Sequence, residues 1–159
     1  MTTTREVFYG VISQEVTPHF FMMELTEEIK ICTVFGEPDV APSPELRALA
    51  EASIEHAVLL GYHIFYFGGT GSFCDLCHSI VEAMNKKYPQ ASILVFSYIS
   101  SATSSCIYEH LRQMIDDSSM VISCVKRSRK SDLRQAYRYA KKKKIPLLNL
   151  YRKKLKITK

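Results

Sequence analysis

The residues best suited to hold a ligand are Gly68-Gly69-Thr70-Gly71-Ser72, inside the run YHIFYFGGTGSFCDLCH of Tyr62–His78. The glycines let the backbone adopt φ > 0 and let a ligand approach it closely. Ile64, Phe65, Tyr66 and Phe67 before them suit a buried strand, and Leu76, Ile80, Val81 and Met84 after them suit a helix. A strand that turns through glycines into a helix N-terminus presents free backbone N–H groups at the positive end of a helix dipole. That arrangement suits phosphate. The same turn also serves as a plain strand-to-helix connection.

Cys74-Asp75-Leu76-Cys77-His78 follows at once. As CxxCH it matches c-type haem attachment, a chemistry of compartments outside the cytosol. As CxxC at a helix start it matches a redox pair, because the helix dipole lowers a thiol pKa there. No thioredoxin signature accompanies it, so the expectation is small thiols packed beneath the turn. The five histidines (19, 56, 63, 78 and 110) show no HExxH spacing, and adjacent Cys77 and His78 cannot readily face one ion. No metal and no cofactor are expected. No Ser/His/Asp order is recognisable. Glu37, Asp75 and Glu82 are carboxylates that could flank a ligand.

The elements that must position these groups alternate along the chain. Residues 30–36 read as a buried strand, and Ser43-Pro44-Glu45 supplies an N-cap, a proline at the first helical position and an early acid. Residues 45–61 follow as a helix, with Leu46, Leu49, Ile54, Ala57, Val58 and Leu60 on one face and Gly61 as its stop. After the central strand and turn come a helix over about 73–88 and a strand over 92–99. A helix over 107–115, a strand over 120–125, a helix over 131–144 and a strand over 145–150 complete the series. Short apolar strands alternating with helices predict an α/β, Rossmann-like three-layer fold with a mostly parallel sheet of about five strands. Apolar-aromatic runs at 4–13 and 19–25 predict an N-terminal β extension over 1–29, ahead of a domain over 30–151 and a basic tail over 152–159. In such sheets ligands bind beyond the strand C-termini, so loops after Gly36, Gly68 and Val125 are expected to share one rim.

The bulk composition, 47% hydrophobic and 23% charged over 159 residues, is that of one globular domain. No apolar run is long enough to span a membrane. Five cysteines without a secretory pattern point to reduced thiols in a cytoplasmic setting. Charge is divided steeply. From Lys126 onward fifteen Lys/Arg face one acid, Asp132, and before it six Lys/Arg face fifteen acids. A basic part on an acidic body attracts nucleic acid or polyphosphate, or is simply a solvated face and tail. The run Lys126–Lys130 has no interleaved aromatic, so stacking on single strands is not indicated.

FGGTGSFCDLC, NKKYP, MIDDSSMVISCV and AYRYAKKKKIPLLNL together resemble the SLOG superfamily of Rossmann-like proteins, nearest to its small standalone bacterial YpsA-like members. The similarity covers roughly Ile31 to Tyr151. It implies a ligand with phosphate and ribose at the strand C-terminal rim, without implying a shared reaction. The superfamily includes cytokinin-activating phosphoribohydrolases, DNA-processing proteins and sensors of nucleotide-derived signals. Several positions depart from the pattern. Cys74 stands where the family places an aspartate after Phe73, His110-Leu111 where it places Arg-Asn, and Glu37-Pro38 where it often places His-Arg. Ser131-Asp132 replaces a Ser-Gly pair, and an aspartate there repels phosphate.

Three readings follow. The first is a binding module that senses or sequesters a nucleotide or nucleotide-derived small molecule. Its ligand-binding residues are Gly36, Glu37, Gly68, Gly69, Thr70, Gly71, Ser72, Phe73, Asp75 and Ser131. Within it, Gly71 is the position where a bulky replacement is expected to block the ligand. The second is a hydrolase of a nucleotide's N-glycosidic bond using Glu37 or Asp75, although the second Pro-Gly-Gly turn of such enzymes is absent. The third is an interaction protein with a degenerate pocket, using residues 1–29 to add an edge strand or meet a second copy.

Overall fold

The computed structural model describes residues 29–98, 107–126 and 131–151. Among these residues five strands and four α-helices alternate: β1 (Ile31–Gly36), α1 (Pro44–Leu59), β2 (Ile64–Gly68), α2 (Ser72–Lys87), β3 (Leu94–Tyr98), α3 (Ile107–Asp116), β4 (Met120–Cys124), α4 (Asp132–Lys143) and β5 (Leu147–Asn149). The strands form one sheet in the order β3-β2-β1-β4-β5, and every pairing is parallel. This is a Rossmann-like three-layer α/β fold, with a sheet that is parallel throughout the described residues.

The layers follow from strand alternation. Cys32 and Val34 of β1, with Phe65 and Phe67 of β2, join the core beneath α1 and α2. Ile31 and Phe35, with Ile64 and Tyr66, join the core beneath α3 and α4. Successive side chains of a strand point to opposite faces, so a continuous apolar run is what a sheet covered on both sides requires. Thr33, fully buried in β1, spends its hydroxyl on Ser118 and on the Met114 carbonyl at 3.2 Å, so the end of α3 is tied to the central strand.

Local signals set the element ends. Ser43 Oγ accepts from Leu46 N at 3.1 Å and Pro44 opens α1, as the sequence predicts. Gly61 closes the α1 turn with φ of 100°. Leu60 caps the helix and is 49% exposed, so the buried stripe of α1 runs instead through Leu46, Ala50, Ile54, Ala57 and Val58. β3 is shorter than the apolar run at 92–99 because a 3₁₀ turn over Pro89–Ala91 ends on Ser92 in the left-handed region. β5 is shorter than 145–150, since Pro146 has no N–H to donate. The apolar runs at 4–13 and 19–25 and the tail 152–159 lie outside the described residues. No helix among the described residues is long and apolar enough to cross a membrane.

Candidate functional site

From β1 the chain runs outward through α1, β2, α2 and β3, with α1 and α2 covering one face. It then returns to β4 and β5, and α3 and α4 cover the other face. The loops leaving adjacent strands β1 and β4 therefore diverge, and a crevice opens between them at the strand C-termini. A cleft of about 460 Å³ lies there. Its floor is Gly36, Glu37 and Pro38 after β1 and Gly68, Gly69 and Thr70 after β2. Its walls are Ile107, His110, Leu111 and Met114 of α3 and Ser131, Asp132 and Leu133 at the start of α4.

Glu37 stitches the crevice together. Its N–H donates to the Cys124 carbonyl at 2.9 Å, and its Oε2 accepts from Lys126 N at 3.0 Å, although the residue is only 2% exposed. A buried carboxylate needs such donors, because its desolvation is otherwise costly. Ser131 is engaged as the N-cap of α4, its Oγ accepting from Arg134 N at 3.2 Å.

The glycines divide by function. At Gly36 an added Cβ would lie 2.4 Å from the Phe73 ring, and at Gly68 it would lie 2.4 Å from Leu111 Cδ2. Both allow a helix side chain to cross the strand end. At Gly71, with φ of +117°, a Cβ would fall 2.4 Å from Pro38 Cα. Ser72 completes that clamp: its N–H donates to the Pro38 carbonyl at 3.0 Å and its hydroxyl bonds the Pro38 and Val40 carbonyls. Gly69 is different. Its φ is +120° and a Cβ there would meet nothing within 4 Å. It is the glycine whose surroundings leave room for a ligand.

Six of the residues named from sequence thus line the cleft: Gly36, Glu37, Gly68, Gly69, Thr70 and Ser131. Gly71 and Ser72 hold the loop after β1, Phe73 is fully buried beneath Gly36, and Asp75 is exposed on α2 outside the lining. The α3 wall was not among the ligand-binding residues named from sequence, although the resemblance places His110-Leu111 where the family has Arg-Asn. Periodicity marks Leu111, Met114 and Ile115 as a buried face, but it does not say over which strand end that face lies.

The thiols are placed for packing. Cys32, Cys74, Cys77 and Cys124 form no disulfide and are buried in the core under α1 and α2. Burial, helped by the Asp75 charge, pushes the Cys74 thiol up to about 11. Burial pushes Cys32 and Cys77 up as well. A redox cysteine needs the opposite shift. No group of three or more His, Cys, Asp or Glu among the described residues could hold a metal ion.

No protein-family model and no curated protein matches the chain. Among solved structures, it is similar to the molybdenum cofactor binding protein from the phototrophic bacterium Rippkaea orientalis. The two share 15% identity at a TM-score of 0.47, over 77% of this chain and 76% of that one.

Proposed function

We propose that the chain is a SLOG-type binding module that holds a nucleotide or nucleotide-derived ligand in the cleft at the β1/β4 crevice. The observation that carries this reading is Gly69, which lines the cleft at positive φ with open space where a side chain would stand. A backbone kept bare at a strand C-terminus, beside the divergence of two loops, is what close approach of a ligand requires. The lining also suggests how the ligand would lie. Ile107, Leu111 and Met114 offer an apolar wall for a base, whereas Glu37 and Asp132 are acceptors suited to ribose hydroxyls or a base amino group. Phosphate would be repelled by those carboxylates and would sit toward Gly69 and Thr70.

The test is calorimetry of the full chain against nucleosides, mono-, di- and cyclic nucleotides and ADP-ribose derivatives, together with mass spectrometry of small molecules released on denaturing the purified protein. At least micromolar binding to one class is expected, weakened by Gly69→Ala. Folded protein that binds nothing in the panel and releases no nucleotide would sink the reading.

A further inference from the structure

The outer face of α4 carries a second concavity, of about 390 Å³, lined by Arg134, Tyr137, Arg138, Lys141 and Lys142. None of its lining residues belongs to the cleft at the strand ends. Arg134, Arg138 and Lys142 recur every four residues, so they form one stripe about 12 Å long on the helix. The buried residues of α4, Ala136 and Ala140, belong to the opposite face.

Folding alone does not account for this stripe. Like charges four residues apart on a helix repel. The helix dipole favours Lys141, Lys142 and Lys143 in the last turn, but it disfavours Arg134 in the first. Other lysines do find acids: Lys143 of the same helix reaches Asp116 at 2.8 Å, and Lys87 on the opposite face of the sheet reaches Glu55 at 2.7 Å. Arg134, Arg138 and Lys142 of the stripe, and Lys141 beside it, have no carboxylate partner among the described residues. Asp132 is the only acid from Lys126 to the end of the sequence, where fifteen Lys/Arg stand against it.

We propose that this face of α4 binds the phosphate backbone of nucleic acid, independently of base sequence. A row of cations along one helix face, in a stretch of sequence with a single acid, is complementary to a polyanion. A membrane-lying helix would need large apolar side chains projecting between its cations. Among the described residues the one non-cationic member of the lining is Tyr137, half-buried against the core under α4.

Fluorescence anisotropy of the full chain with a labelled 20-base-pair duplex and with one of its single strands tests this. Micromolar or tighter binding is expected at about 50 mM salt, insensitive to sequence. With four phosphate contacts the log–log salt slope is about −3 to −4, a loss of roughly a hundredfold by about 200 mM. Replacing Arg134, Arg138, Lys141 and Lys142 together by Gln should weaken binding at least tenfold and flatten the slope by about 3. The pair Arg138→Glu and Lys142→Glu, both at exposed positions, gives the same readout if the fourfold variant folds poorly, and Lys86→Gln on α2 should change little. The proposal is overturned by no binding at low salt. It is equally overturned by undiminished binding in both variants, which would place the contact in other basic segments, or by tighter binding to phosphatidylserine vesicles than to the duplex.

Discussion

A methyl group at Gly71 would overlap Pro38 Cα at 2.4 Å, whereas one at Gly69 would touch nothing within 4 Å. Both residues sit near φ of +120°, where any side chain is strained by about 1–3 kcal/mol. The two alanine variants should therefore separate. Gly71→Ala adds overpacking to strain and should cost about 2–5 kcal/mol in denaturant unfolding. Gly69→Ala should lose only the strain, yet lose ligand affinity on the folded fraction more than Gly71→Ala does. The expectation attached to Gly71 from sequence thus moves two residues back, because Pro38 occupies the space on which that expectation depended. Cys74 offers a second residue-scale test. Its thiol stands at about 11 when folded against an ordinary 9.0, so the folded chain keeps a proton that the unfolded chain releases first. The stability tied to that thiol is complete below about pH 9 and is lost as pH rises toward 11. The stability advantage of wild type over Cys74→Ser should shrink across that window, and an advantage independent of pH would refute the buried-thiol account.

At the scale of elements, each helix layer carries a cluster near the surface that clips its two helices together. Glu55 of α1 accepts from Lys87 and Tyr88 at the end of α2, and the hydrogen bond from Lys87, with that from Tyr88, holds the Glu55 carboxyl below its usual value. Asp116 at the end of α3 accepts from Tyr139 and Lys143 of α4. Burial works against the Asp116 charge, but the bonds from Lys143 and Tyr139 outweigh it, so its carboxyl also titrates below the usual 3.8. A depressed carboxyl contributes stability that is present above its unfolded value and lost as pH falls through the folded one. Asp116→Asn should consequently lower the melting temperature by a few degrees at neutral pH, and the gap should close as pH drops below about 3.8. A gap that persists unchanged into strong acid would mean that the aspartate acts by packing, not by charge. Because α3 also supplies the apolar wall of the cleft through Leu111 and Met114, loosening this clip should weaken ligand binding as well.

For the molecule as a whole, the alternation of apolar strands and capped helices was legible because each signal is local: Ser43-Pro44 starts α1, Gly61 stops it, and Ile64–Phe67 alternates between two cores. The cleft was legible where it is built from strand ends, at Gly36, Glu37 and Gly68 to Thr70, and at Ser131, the cap of α4. The remainder depends on approach between distant segments, such as Pro38 against Gly71 or Leu111 over Gly68, and no local pattern encodes those distances. The strand order has a consequence of its own. β1 is hydrogen-bonded on both sides, to β2 and β4, and all six of its residues are buried. Among the described residues β5 is a three-residue edge strand with no buried member, and β3 is the opposite edge, with Leu94 and Phe96 more than one-third exposed. Opening an edge strand uncovers little apolar surface, while opening β1 dismantles both cores. Amide exchange measured residue by residue should then be slowest at Val34 and Phe35, close behind at Phe65, Tyr66, Val121 and Ile122, and fastest among strands at Leu148. If the proposed ligand occupies the cleft, saturating it should slow exchange most at Gly68 to Thr70 and in α3, which line that cleft, and least in β5. Equal protection of β5 and β1 would mean that the sheet opens only as one unit, and the hierarchy drawn from its order would fail.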